Sequence, residues 1–108
     1  MRIRSEGLGS NITKEDQQTA EIANALAHPL RVALIRYLSK KDTGKGLDNA
    51  TCNKELVNIF DYSQSTMSQH VKILKECGLF QTKRKDQFIF YFLNRDLLHQ
   101  HIGILGKL

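Results

Sequence analysis

Ser63, Gln64, Ser65, Thr66, Ser68, Gln69, His70 and Lys72 make a dense run of short hydrogen-bonding side chains with one cation, and Lys83, Arg84 and Lys85 set three cations together a little further on. Side chains of the first kind suit the edges of base pairs, and those of the second suit phosphates, so double-stranded DNA is the partner these residue types fit. They are not the parts of a catalyst. No glycine-rich phosphate loop, nucleophile elbow or clustered carboxylate pair accompanies them, and no Ser, Asp or Glu is arranged around His70 to support proton transfer. An enzyme is not expected, and neither is a cofactor.

Defined elements must hold these groups. Ser63 is suited to cap a helix in which Met67, Val71 and Leu74 recur on one apolar stripe, and Gly78 supplies the left-handed position that ends it. The polar run then occupies the opposite face. Leu79 to Lys83 and Gln87 to Leu93 read as strands, with Lys83 to Asp86 as the charged connection, so the three cations are expected at the tip of a hairpin. Upstream, Thr51 is placed to cap a helix from Cys52 to about Phe60 with Cys52, Leu56, Ile59 and Phe60 inward, and Asp61 and Tyr62 form the turn into Ser63. Cys52 to Glu76 is thus a helix-turn-helix, and with the basic hairpin behind it the layout is a winged helix-turn-helix. The hairpin distinguishes it from an ordinary amphipathic helix with a solvated face.

The rest of the chain supports that unit. Thr13 and Asp16 resemble a capping box for a first helix whose apolar surface is Ala20, Ile22, Ala23, Leu26 and Ala27. Pro29 opens a second, with Leu30, Ala33, Leu34, Tyr37 and Leu38 as its stripe and Val32 and Ile35 widening it, so this helix is expected to lie centrally. Ser39 to Ala50 reads as a surface loop. Asn94 is suited to cap a last helix lined on one side by Leu97, Leu98, His101, Ile102 and Leu105, weakened by Gly103 and Gly106. The expected fold is mainly α with a small β-hairpin, in the order α-α-α-α-β-β-α. Residues 1–11 are expected to be a flexible arm, and residues 12–108 to be one domain carrying both DNA binding and dimerisation.

Composition narrows the partners. A chain of 108 residues has room for one such domain, and sixteen Lys plus Arg against eleven Asp plus Glu give a formal net charge of +5 that favours a polyanion. The two cysteines fit neither a disulfide framework nor a zinc finger, so a reducing cytosol is expected. The N-terminus lacks the apolar core of a signal peptide, and no run approaches the roughly 20 apolar residues of a membrane span.

The stretches Leu26 to Leu38 ("LAHPLRVALIRYL") and Ser65 to Asn94 resemble the ArsR/SmtB family of bacterial repressors. That family pairs an "LADPxRLxIL" helix entry with an "SxxSxHLxxLxxAGLV" reading helix and a "RxGxxxxYxL" wing. Pro29 and Arg31 match the first, Ser65, Ser68, His70, Leu74, Gly78 and Leu79 the second, and Tyr91 and Leu93 the third. His28 replaces the usual acidic residue, Cys77 a small one and Asp86 the glycine of the wing turn. The resemblance implies a homodimer in which first and last helices pair across a two-fold axis, through Ile22, Ala23, Leu26, Leu97, Leu98, His101, Ile102 and Leu105, and two reading helices meet a pseudo-palindromic operator. It also implies repression relieved by a signal.

Family members that bind soft metals use a Cys-x-Cys pair at the start of the third helix. Here Cys52 occupies the first position and Lys54 the second, a poor chelate. Others hold zinc through Asp and His of the last helix, where this chain has Asp96, His99 and His101. The last two lie two residues apart and point away from each other, so no metal is expected. Two alternatives stay open: a regulator sensing a ligand or redox state through Cys52 and Cys77, and a protein-interaction module using the aromatic run Phe88 to Phe92 and the terminal helices.

Overall fold

The computed structural model describes residues 11–41 and 51–108. The expected arm, apart from Asn11, and most of the expected loop, residues 42–50, lie outside the described residues. Helix α1 spans Lys14–Ala25 behind a capping box: the Thr13 hydroxyl accepts from the Asp16 N–H (3.0 Å), and the Asp16 carboxylate accepts from the Thr13 N–H (2.9 Å). Helix α2, Pro29–Lys41, begins at its proline as expected and runs three residues further than the sequence indicates. Lys40 and Lys41 stabilise that extra turn by facing the negative end of the helix dipole. His28 substitutes for the acidic residue it replaces, because its Nδ1 accepts from the Leu30 N–H at 3.1 Å.

Thr51–Cys52 form a two-residue strand, β1, where the sequence suggests a helix cap. Helix α3 therefore starts one residue later, at Asn53–Phe60, and Cys52 precedes it without a side-chain cap. Asp61 ends it in the left-handed conformation, φ 53°. Helix α4, Gln64–Glu76, is capped by Ser63, whose hydroxyl accepts from the Thr66 N–H at 3.1 Å, and Gly78 follows it at φ +94°.

Strands β2, Phe80–Lys85, and β3, Phe88–Leu93, pair antiparallel through all six residues, with Lys85 opposite Phe88. The turn is thus Asp86 and Gln87 alone, two residues shorter than expected. Asp86 stands at φ 57°, which an aspartate tolerates better than most residues, and the strands gain two further cross-strand pairs. β1 pairs with β3, Thr51 opposite Tyr91 and Cys52 opposite Phe90, giving the sheet order β1-β3-β2. Helix α5, Arg95–Gly106, is capped by Asn94, which accepts from the Leu97 N–H (3.2 Å) and donates to the Gly78 carbonyl (3.2 Å).

One core joins all the helices except α5 to the sheet: Ile22 and Ala25 of α1, Leu30, Leu34, Ile35 and Leu38 of α2, Leu56 of α3, Met67, Val71 and Leu74 of α4, and Leu79, Phe80, Tyr91 and Leu93. Leu97 and Leu98 of α5 pack against it. α2 lies centrally, against α4 and β3, although Val32 faces outward. Ile59 does as well, contrary to expectation, because α3 presents only Leu56 fully and Val57 and Phe60 partly to the core. Tyr37 ties the end of α2 to α3. Its ring meets Phe60 edge-on and its hydroxyl donates to Glu55, which also pairs with Lys41; burial, reinforced by that carboxylate, pushes the phenol up to about 12. No helix among the described residues is long and apolar enough to cross a membrane.

Candidate nucleic-acid interface

The rotation of α4 follows from its buried stripe. Met67, Val71 and Leu74 are in the core, so Gln64, Ser65, Ser68, Gln69 and Lys72 stand exposed on the outer side. Thr66 is half-buried, and its hydroxyl accepts from Ser63 at 3.0 Å. Ser63 is thereby occupied at both its lone pair and its proton, which makes it first a cap.

His70 departs most from the outward-facing set. Half-buried, it turns toward the junction of α1 and α2, where one Arg31 nitrogen (Nη1) donates to its Nδ1 at 3.1 Å. The His28 ring lies 4.5 Å from it and the Tyr62 ring 6.4 Å. Burial, then the charges of His28 and Arg31, hold its pKa below the usual imidazole value. Arg31 is itself buried, 9% exposed, and donates to the Ala25 carbonyl (2.8 Å) and the Asn24 carbonyl (3.4 Å) at the end of α1. The sequence carries a signal for this role: an arginine between Leu30 and Leu34 on a buried helix must find acceptors.

Lys83, Arg84 and Lys85 lie on β2 rather than in the turn, a correction that follows from the two-residue connection. All three are exposed, and the alternation of the strand sends Lys83 and Lys85 to one face and Arg84 to the other. Pairing likewise divides the aromatic run. Tyr91 and Leu93 join Phe80 in the core, while Phe88, Phe90 and Phe92 share the outer face with Lys85, Lys83 and Gln81. Lys54 lies over the Phe88 ring at 5.2 Å.

Of the residues expected at a dimer contact, Ala23, Ile102 and Leu105 are exposed, and Leu26, Leu97 and Leu98 are half-buried against the chain's own core. Ile22 and His101 are the most buried of the set, 2% and 4% exposed in the single chain. Thr19, Ala20, Ala23, Ile104 and Leu108, with the charged Glu15, Asp16 and Lys107, line a hollow of about 290 Å³ between α1 and α5.

Both cysteines are free thiols. Cys52 sits in β1 opposite Phe90, and Cys77 ends α4, its thiol donating to the Leu74 carbonyl. Burial pushes the Cys77 thiol up, away from the reactive thiolate. Asp96 and His99 are exposed whereas His101 is buried, and among the described residues no group of three or more His, Cys, Asp or Glu is placed to hold a metal.

A capped helix with an open polar face, reached by a short turn from α3 and followed by a basic hairpin, defines a winged helix-turn-helix protein of the DNA-binding class. Residues 28–82, just over half of the chain, match the model of the arsR family of bacterial regulatory proteins. The chain belongs to that family of transcriptional regulators. Its relatives include the nodulation protein NolR of Rhizobium meliloti, 29% identical over the whole chain and 85% of NolR, and the biofilm growth-associated repressor of Xylella fastidiosa, 30% identical over 88% of this chain and 81% of the repressor. Among solved structures, HlyU from Vibrio cholerae N16961 superposes with a TM-score of 0.66 at 28% identity, over 87% of this chain and 94% of HlyU.

Proposed function

We propose that the protein is a homodimeric repressor that reads duplex DNA with α4 and steadies itself on the backbone with the wing. The observation that carries this reading is the exposed row Gln64, Ser65, Ser68, Gln69 and Lys72 on a helix anchored by Met67, Val71 and Leu74. Gln64 and Gln69 have the donor–acceptor pair that an adenine edge takes, and Ser65, Ser68 and Thr66 the hydroxyls that serve either base or phosphate. Lys72, Lys83, Arg84 and Lys85 act on phosphates.

Repression is supported by the relatives named as repressors, although HlyU of Vibrio cholerae is named a transcriptional activator. Dimerisation through α1 and α5 is supported by apolar side chains left exposed on both helices, Ala23 on α1 and Ile102 and Leu105 on α5. The test is selection of binding sites from a randomised duplex pool. The wild-type protein should return a pseudo-palindromic motif, and Gln69→Ala should change the preferred base at one symmetric pair of positions, each good base contact carrying about 1–3 kcal/mol of discrimination. An identical motif from the variant would remove Gln69 from the reading face.

A further inference from the structure

Three apolar side chains seat α4, and apolar contacts are non-directional. The directional contact is made by His70, which is joined through Arg31 to the two last carbonyls of α1. A guanidinium only donates, so the His70 Nδ1 can meet it only as a lone pair, with the ring proton on Nε2. His28 is committed in the same sense, its Nδ1 accepting from the Leu30 N–H.

We propose that Arg31 is a positioning residue that fixes the reading helix through His70, and that the grip holds only while His70 is unprotonated, so that acid releases α4 and weakens sequence-specific DNA binding. The inference rests on the DNA-reading function proposed above. Among the described residues, the charged and titratable groups facing His70 are Arg31 and His28, from the start of α2 and the turn before it, and Tyr62 from the turn before α4. None is a carboxylate. A proton on Nδ1 replaces an acceptor by a donor opposite a donor and sets a second positive charge against the buried guanidinium, and nothing in the cluster compensates.

The sign of the pH effect follows. Because the folded state holds the His70 pKa below its unfolded value, the unfolded chain takes up the proton first. The contribution of this histidine to stability is full above the unfolded value, near 6.5, and is lost as pH falls toward the folded one. Simple electrostatics predicts the reverse for DNA: a histidine that gains charge beside phosphates should tighten binding in acid. The two mechanisms therefore differ in direction.

The experiment measures binding by fluorescence anisotropy at constant ionic strength, from pH 7.5 to 5.5, to a duplex selected at pH 7.5 and to the unselected pool. Affinity for the selected duplex should fall by about fivefold or more, and affinity for the pool should fall less or rise. His70→Gln, whose amide oxygen accepts from Arg31 without titrating, should bind the selected duplex with a flatter pH profile. It should also abolish the part of the acid destabilisation in urea that the wild type owes to this site. A nitrogen-15 spectrum at pH 7.5 should show the Nε2–H tautomer of His70. The proposal is overturned if wild-type binding is constant or tightens in acid, if His70→Gln weakens in parallel with the wild type, or if Nδ1 carries the proton at pH 7.5. If selection returns no preferred duplex at pH 7.5, the DNA-reading function itself fails and takes this inference with it, an outcome separate from a preferred duplex bound without pH dependence.

Discussion

Gly78 joins the reading helix to the first wing strand, and replacing it by alanine tests whether the two are held as described. At φ +94° an L-residue is strained, and a Cβ built there lies 3.0 Å from the Leu97 Cδ2 on α5. The backbone term is about 1–2 kcal/mol, and pressing a methyl group into a packed side chain adds about 1–3 kcal/mol. Stiffening of the unfolded chain returns about 0.4–1 kcal/mol, so Gly78→Ala should destabilise by about 2–3 kcal/mol. In a domain of this size that lowers the melting temperature by about 10 °C or more at fixed protein concentration. Urea denaturation of Gly78→Ala, Leu97→Ala and the double variant separates the two contributions. With the Leu97 side chain removed, the alanine should cost about 1–2 kcal/mol less, leaving the backbone strain less the unfolded-chain contribution. A Gly78→Ala protein within about 0.5 kcal/mol of wild type, or one whose cost is the same in both backgrounds, would refute this account of the junction.

Two further outcomes follow from the surface. A Lys83, Arg84, Lys85 triple alanine variant should stay folded and keep its sequence preference, with the slope of log K against log salt shallower by roughly 0.9 for each phosphate that a subunit no longer neutralises, on selected and random duplex alike; an unchanged slope would remove the wing from the DNA and favour the aromatic outer face of β3 as a protein contact. Leu105→Glu, at a position 47% exposed in the single chain, should leave the fold intact and shift the mass in sedimentation from dimer to monomer at micromolar concentration, whereas an unaltered dimer would place the contact elsewhere.

What the sequence discloses is local. The caps at Thr13, Ser63 and Asn94, the left-handed Gly78, the opening of α2 at Pro29 and the buried stripe of α4 depend on residues within four positions of each other, and each stands where the pattern puts it. What escapes it is set by partners far along the chain. β1 exists because Thr51 and Cys52 meet Tyr91 and Phe90, some forty residues away, and two residues carry no periodicity to read. The wing register is hidden because four charged residues look like a turn, whereas pairing with Phe88 to Phe90 keeps three of them in the strand. Ile22 stands among the expected dimer residues in the sequence, since one apolar stripe does not say whether its own chain or another covers it. His70 groups with the reading residues in the sequence because its link to Arg31 spans 39 positions.

The short strand β1 has a consequence for what the protein detects. Its two residues are hydrogen-bonded to the wing strand β3 and lead without a break into α3, which a short turn joins to α4, so the hairpin and the α3–α4 pair are mounted on one frame. On the DNA-reading function proposed above, this frame would act as a caliper of fixed span across neighbouring grooves. DNA must supply the adjustment, and the cost of narrowing or bending it depends on base steps that no side chain touches. On that reading part of the operator's identity would be written in its stiffness, and base pairs between the proposed contacts of α4 and those of the wing should matter to binding as flexible or rigid steps.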